Sequence, residues 1–152
     1  MTRPRSRGHL EFVSSSMSDA PLIHLNYLSD PDDYDISTLV KGLRFGRQVA
    51  NTAPLSDFLG EELTPGPDIE SDGELAEYAR ETCETVYHPS GTCRMGMNPE
   101  SVVSPELKVH GLQNVRVCDA SVFPAMVTVN INNTVMMVAE KAAAAIIHEY
   151  RT

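Results

Sequence analysis

The chain has 152 residues, 41% of them apolar and 22% charged, which is enough for a folded unit with a real core. Its formal net charge is −9, and its basic residues do not cluster beyond Arg3, Arg5 and Arg7, which argues against nucleic acid or an anionic membrane surface as a main partner. No apolar run approaches the roughly 18 to 20 residues of a membrane helix, so no membrane span is expected.

In chain order, Arg7 to Ser14 alternates loosely around Leu10, Phe12 and Val13, and reads as a short strand. Leu22 to Leu28 reads as a second. Ser29-Asp30-Pro31-Asp32-Asp33 is a turn with helix-start chemistry. From Asp33 to Asn51 the apolar positions Ile36, Leu39, Val40, Leu43 and Val49 predict a helix, with Lys41, Arg44 and Arg47 outward. Thr52 to Asp72, rich in proline and glycine, is a connector. Ser71 with Glu74 fits a capping box and opens a helix to about Thr85.

Then comes Tyr87-His88-Pro89-Ser90-Gly91-Thr92, a histidine on irregular backbone, where loops often carry chemistry. Ser101–Val103 and Leu107–Val109 are short extended pieces, and Val115–Cys118 reads as an apolar strand with a polar carboxyl end. Asn130-Ile131-Asn132-Asn133-Thr134 suits the cap of a last helix over 133–150. Its stripe of Val135, Val138, Ala139, Ala142, Ala143, Ile146 and Ile147 is expected to be buried. Free amides at such a helix start also favour an anionic ligand.

The three cysteines, odd in number and widely spaced, make no disulfide framework and point to a reducing, cytoplasmic setting. The opening residues have no apolar h-region of a secretory leader. Cys83, His88 and Cys93 lack a CxxC, so no metal is expected there. Cys93 and Cys118 read as small buried residues, and Met95, Met97, Met136 and Met137 as core filling. His9, His24 and His148 have no supporting pattern.

The words HPSGTCRMG (His88 to Gly96), VVSPELKVHGLQNVRVCDASVFP (Val102 to Pro124) and VNINNTVMMVAEKAA (Val129 to Ala143) together resemble the C-terminal part of the glucose-methanol-choline (GMC) family of FAD-dependent oxidoreductases. The upstream RPRSRGHLEF and PLIHLNYLSDPDD resemble that family's substrate domain, so the likeness covers nearly the whole chain. It implies a partial α/β (α+β) fold. Residues 1–100 would be the end of the substrate domain, with the catalytic histidine loop at its end. Residues 101–152 would be the last strand and helix of a Rossmann-like FAD-binding domain.

The resemblance implies His88 as the catalytic base and Asn130, six positions after Pro124, as the second active-site residue. Asparagine there matches the choline dehydrogenase-like, His–Asn branch. It also implies that Asp119 and Ala120 line the ribityl and pyrophosphate part of FAD, and that the amides of Ile131 and Asn132 approach the flavin N1 and C2 carbonyl. The reaction implied is oxidation of an alcohol substrate at CH–OH, with hydride passing to flavin N5. No GxGxxG occurs in the chain, so the N-terminal FAD-binding part of such an enzyme is a required partner. A second reading is a non-catalytic remnant that acts through association.

Overall fold

The computed structural model describes residues 2–128 and 130–151. Val129, which opens the third of the words above, lies outside them. The chain forms two compact units, Arg3–Glu84 and Thr85–Thr152. The division falls ahead of residue 100, so the loop bearing His88 belongs to the second unit.

In the first unit, β1 (His9–Glu11) and β2 (Leu22–His24) pair antiparallel, with His9 opposite His24, Leu10 opposite Ile23 and Glu11 opposite Leu22. Gly8 permits this approach. A Cβ there would lie 2.2 Å from the His24 carbonyl oxygen and 2.9 Å from that of Leu25.

Helix α1 spans Tyr34–Ala50 and buries Ile36 and Val40. Asp33 occupies its N-cap in the left-handed region (φ 50°) and makes no side-chain cap. Asp30 does that work from outside: its carboxylate accepts from Tyr34 N at 2.7 Å and from Asp35 N at 3.2 Å. Asp35 is fully buried, and its two oxygens accept from Arg5 N, Ser6 N (both 2.8 Å) and Ser6 Oγ (2.6 Å). Burial alone would raise its pKa, but these donors and the nearby Arg7 charge outweigh it and hold the carboxyl below its ordinary 3.8. The segment before β1 is thereby fastened to the start of α1.

Helix α2 spans Asp72–Thr82 and carries the expected capping box. Ser71 Oγ accepts from Glu74 N at 3.2 Å, and Glu74 Oε2 accepts from Ser71 N at 2.9 Å. Its buried face, Leu75 and Ala79, packs against α1. Lys41 and Arg44 are exposed, but Arg47 does more than face solvent. Its guanidinium donates to Glu62 Oε1 (3.0 Å), Ile69 O (2.7 Å) and Gly66 O (2.9 Å), and so fastens the proline-rich connector to α1.

The second unit packs Val103, Leu107, Val122, Phe123 and Ala142 into one core, with Met95, Val117, Cys118, Ile131, Val135 and Val138 half-buried against it. Its last helix, α3, spans Ile131–Tyr150. Three expectations need correction. Val115–Cys118 is not a strand: it pairs with residues 107–109 through a single antiparallel bridge, Lys108 with Arg116. An apolar run becomes a strand only where a full ladder is available to satisfy its backbone groups. Of the stripe on α3 only Ala142 is buried; Val135, Val138 and Ala139 are half-buried, and Ala143, Ile146 and Ile147 are exposed, with no cover among the described residues. Met97, Met136 and Met137 are likewise exposed rather than core filling, whereas Met95 packs as expected. The end of α3 is held by charge instead: Glu149 accepts from Lys108 Nζ at 2.9 Å and from Arg116. Among the described residues, no helix is long and apolar enough to cross a membrane.

Candidate active site

The second unit lays the histidine loop along the Asp119–Phe123 turn. Gly91 N donates to Ala120 O (3.3 Å), Cys93 N to Ser121 O (2.9 Å) and Met95 N to Val122 O (2.9 Å). Two local features aim the loop. Gly91 sits at φ +83°, and an added Cβ would lie 3.2 Å from Phe123 O. Tyr87, immediately before His88, is also in the left-handed region at φ 60°. Such a conformation is costly for a bulky side chain and needs the surrounding structure to hold it.

Across from this loop, α3 begins. Its N-cap is Asn130, whose Oδ1 accepts from Asn132 N at 3.0 Å. That bond settles the orientation of the amide. A backbone N–H can only donate, so the atom facing it is the oxygen, and the opposite atom is the nitrogen. This nitrogen, Nδ2, lies 3.1 Å from His88 Nε2. An amide NH2 has no acceptor to offer, so Nε2 must accept. With Nε2 as the acceptor, this geometry corresponds to the tautomer that carries a proton on Nδ1. His88 is half-buried and Asn130 is exposed, so the pair sits at the surface of its unit with Nε2 turned to a polar partner.

Helix N-capping and contact with His88 are therefore not rival roles for Asn130. The oxygen serves the first, and the nitrogen serves the second. The same geometry engages one of the amides expected to face a ligand, since Asn132 N is already given to the cap. An α-helix leaves its first four amides without partners inside the helix, so Ile131 and its neighbours still end α3 in partial positive charge. Ile131 is half-buried against the core, and Asn132 is exposed.

Asp119 is exposed and begins the short 3₁₀ turn Ala120–Val122, where its Oδ1 accepts from Ser121 N at 2.8 Å. Ala120 is half-buried, and its carbonyl receives Gly91 N. The six residues singled out in the sequence thus fall into a His88–Asn130 pair, the first turn of α3 and the turn that carries the histidine loop. All six lie in the second unit.

His110, near these residues in sequence, is structural: its Nε2 donates to Gly96 O at 3.0 Å. Sequence reasoning missed another group. His9 and His24 stack with ring centroids 4.3 Å apart, and His24 Nε2 lies 3.2 Å from Glu11 Oε2. Only the register of β1 against β2 brings these residues together, and no local word in the sequence announces it.

The family model for GMC oxidoreductase matches residues 4–139. The chain is 44% identical over 146 residues to an alcohol dehydrogenase [acceptor] of Pseudomonas putida, a match covering 96% of this chain and 26% of the relative. It is 43% identical over 145 residues to choline oxidase of Arthrobacter globiformis, covering 94% and 27%. Among solved structures it superposes on the formate oxidase of Aspergillus oryzae RIB40, studied for modification of its FAD, with a TM-score of 0.90 and 34% identity, over 99% of this chain and 26% of that one. The chain thus spans about a quarter of the length of the relatives it matches. A family model that fits nearly end to end agrees with a partial α/β fold superposing on a solved member of the same family. This chain therefore belongs to the GMC oxidoreductase family and corresponds to its C-terminal domain.

Proposed function

We propose that this chain is the C-terminal portion of an FAD-dependent oxidoreductase acting on the CH–OH group of an alcohol, with His88 as base and Asn130 as hydrogen-bond donor. The observation that supports this most is the double use of Asn130. Its oxygen is fixed by Asn132 N, which leaves Nδ2 directed at the unprotonated nitrogen of His88.

FAD, when bound, supplies the hydride acceptor. The residues of this chain fit such a group in part. Asp119, Ala120, Ile131 and Asn132 would face it, the last two through the positive end of α3, which suits negative charge. The chain has no GxGxxG turn for a pyrophosphate, so that part of the site belongs to the N-terminal FAD-binding part of the enzyme. In this reading residues 1–100 end the substrate domain, and 101–152 close a Rossmann-like FAD-binding domain. Exposed Met136, Met137, Ile146, Ile147 and Tyr150 on α3 agree with a missing partner surface.

The chemistry assigned to this chain is proton handling. His88 Nε2 carries a lone pair and receives the hydroxyl proton of the alcohol. For this the alcohol O–H replaces Asn130 as the donor to Nε2. An N–H of the released Asn130 amide then donates to the substrate oxygen as negative charge develops there. Asparagine cannot take up the proton, so proton transfer falls on His88 alone.

The deciding experiment is anaerobic reduction of bound flavin by alcohol in the complete enzyme, comparing parent and Asn130→Asp. Aspartate caps a helix as well as asparagine does, but it offers no donor to an alkoxide. A parent-like rate in Asn130→Asp would remove Asn130 from the chemistry.

A further inference from the structure

We propose that the face of the β1–β2 hairpin carrying His9, Glu11 and His24 is a site for a divalent transition metal of the Zn²⁺ class. Nothing in the oxidoreductase reading uses these residues.

The site follows from the pleat. His9 and His24 are direct cross-strand partners, so their side chains leave the same face of the ribbon. Glu11 lies two residues from His9 and therefore on that face as well. Gly8 brings the strands close enough for the imidazoles to meet, with centroids 4.3 Å apart and planes 9° from parallel. Glu11 Oε2 lies 3.2 Å from His24 Nε2. One ligand atom from each of the three residues lies within 4.8 Å of the others.

A Zn²⁺ ion bound at about 2.0–2.2 Å from nitrogen and oxygen ligands needs them at most about 4 Å apart. Small rotations of the exposed His9 and Glu11 side chains close that difference. Tilting the stacked rings lets both lone pairs converge, which parallel rings do not.

Chemistry selects the ion. Two imidazoles and one carboxylate make a borderline N/N/O set that suits Zn²⁺, Ni²⁺ or Cu²⁺ and is a poor match for Ca²⁺ or Mg²⁺, which prefer all-oxygen shells. Three protein ligands leave a coordination position open to water. The physical gain is cross-strand. Strands of three residues are marginal by themselves, and an ion ligated from both fixes the pairing of His9 with His24. The bland alternative is that Glu11 and His24 form only a surface ion pair, which would contribute little and would take up no ion.

The test is titration of the reduced full chain with Zn²⁺, followed by calorimetry and by the ring ¹⁵N signals of the histidines. One equivalent should bind and move the ring nitrogens of His9 and His24. His24→Gln and Glu11→Gln should each weaken it by at least the roughly 10- to 100-fold that loss of a supporting residue around a metal costs. Far-UV circular dichroism should stay unchanged, because all three side chains are at least partly exposed. Failure to take up an equivalent overturns the proposal. So does uptake that both variants leave intact, or uptake that leaves the His9 and His24 signals unmoved, since the ion would then sit elsewhere on the chain.

Discussion

Asn130 Nδ2 lies 3.1 Å from His88 Nε2 while Asn130 Oδ1 accepts from the backbone of Asn132, so one side chain joins the start of α3 to the histidine loop. The capping bond fixes which end of the amide meets the imidazole, and through it which nitrogen of His88 carries the proton. The helix cap and the tautomer of His88 are thus tied to a single rotamer.

Substitutions at Asn130 separate the two ends of the amide. Asn130→Ala should lower stability by about 0.5–2 kcal/mol, the cost of losing a cap. It should also slow alcohol-driven flavin reduction in the complete enzyme by roughly 10²- to 10³-fold, the scale of one lost oxyanion donor. Asn130→Asp should keep the melting temperature near that of the parent and still lose the rate. Ring ¹⁵N spectra of this chain give an independent readout. Neutral His88 should carry its proton on Nδ1 in the parent and on Nε2 in Asn130→Asp, where a carboxylate oxygen replaces the donor.

Asp35 should be the main pH-dependent element of the first unit. Asp35→Asn should destabilise it by about 1.5–3 kcal/mol, as expected when a charged acceptor of buried hydrogen bonds is lost. The sign follows from linkage. The folded carboxyl titrates below its ordinary 3.8, so the unfolded chain binds the proton more readily. This stabilisation is fully present above about pH 4, near the unfolded value, and is lost as pH falls through the folded one. Urea unfolding of parent and Asp35→Asn at neutral pH and near pH 3 should show the difference between them shrinking in acid.

Gly91→Ala should disturb the histidine loop without touching its chemistry. The position needs φ +83°, and the new Cβ would press on Phe123 O from 3.2 Å. A cost of about 1–2 kcal/mol is expected from the left-handed conformation alone. Thermal unfolding should record it, and the His88 ring signals should shift because the loop that aims the imidazole moves.

How much of this was legible in the sequence depends on how local each cause is. Ser71 and Glu74 are three residues apart and cap α2 as their spacing says. His88 and Asn130 were legible because each stands in a distinctive word, although their 3.1 Å contact was not. Features set by tertiary register were invisible. The stack of His9 on His24 depends on which residue of β1 faces which of β2. The burial of Asp35 depends on donors about thirty residues upstream. The misread parts are Val115–Cys118, whose apolar residues reach the core without a full strand ladder, and Ile146 and Ile147, whose face is left uncovered among the described residues. Apolar periodicity reports that a face seeks a partner and says nothing of whether the partner lies in the same chain.

The central claim, that His88 takes the proton of the alcohol, is tested most directly by one rate. In the complete enzyme, anaerobic flavin reduction by alcohol should fall by roughly 10²- to 10⁴-fold in His88→Gln, the range for loss of a general base. FAD content should be unchanged, because His88 is assigned to the substrate oxygen and not to holding the cofactor. Reduction of His88→Gln at the parent rate, with FAD fully bound, would contradict the account.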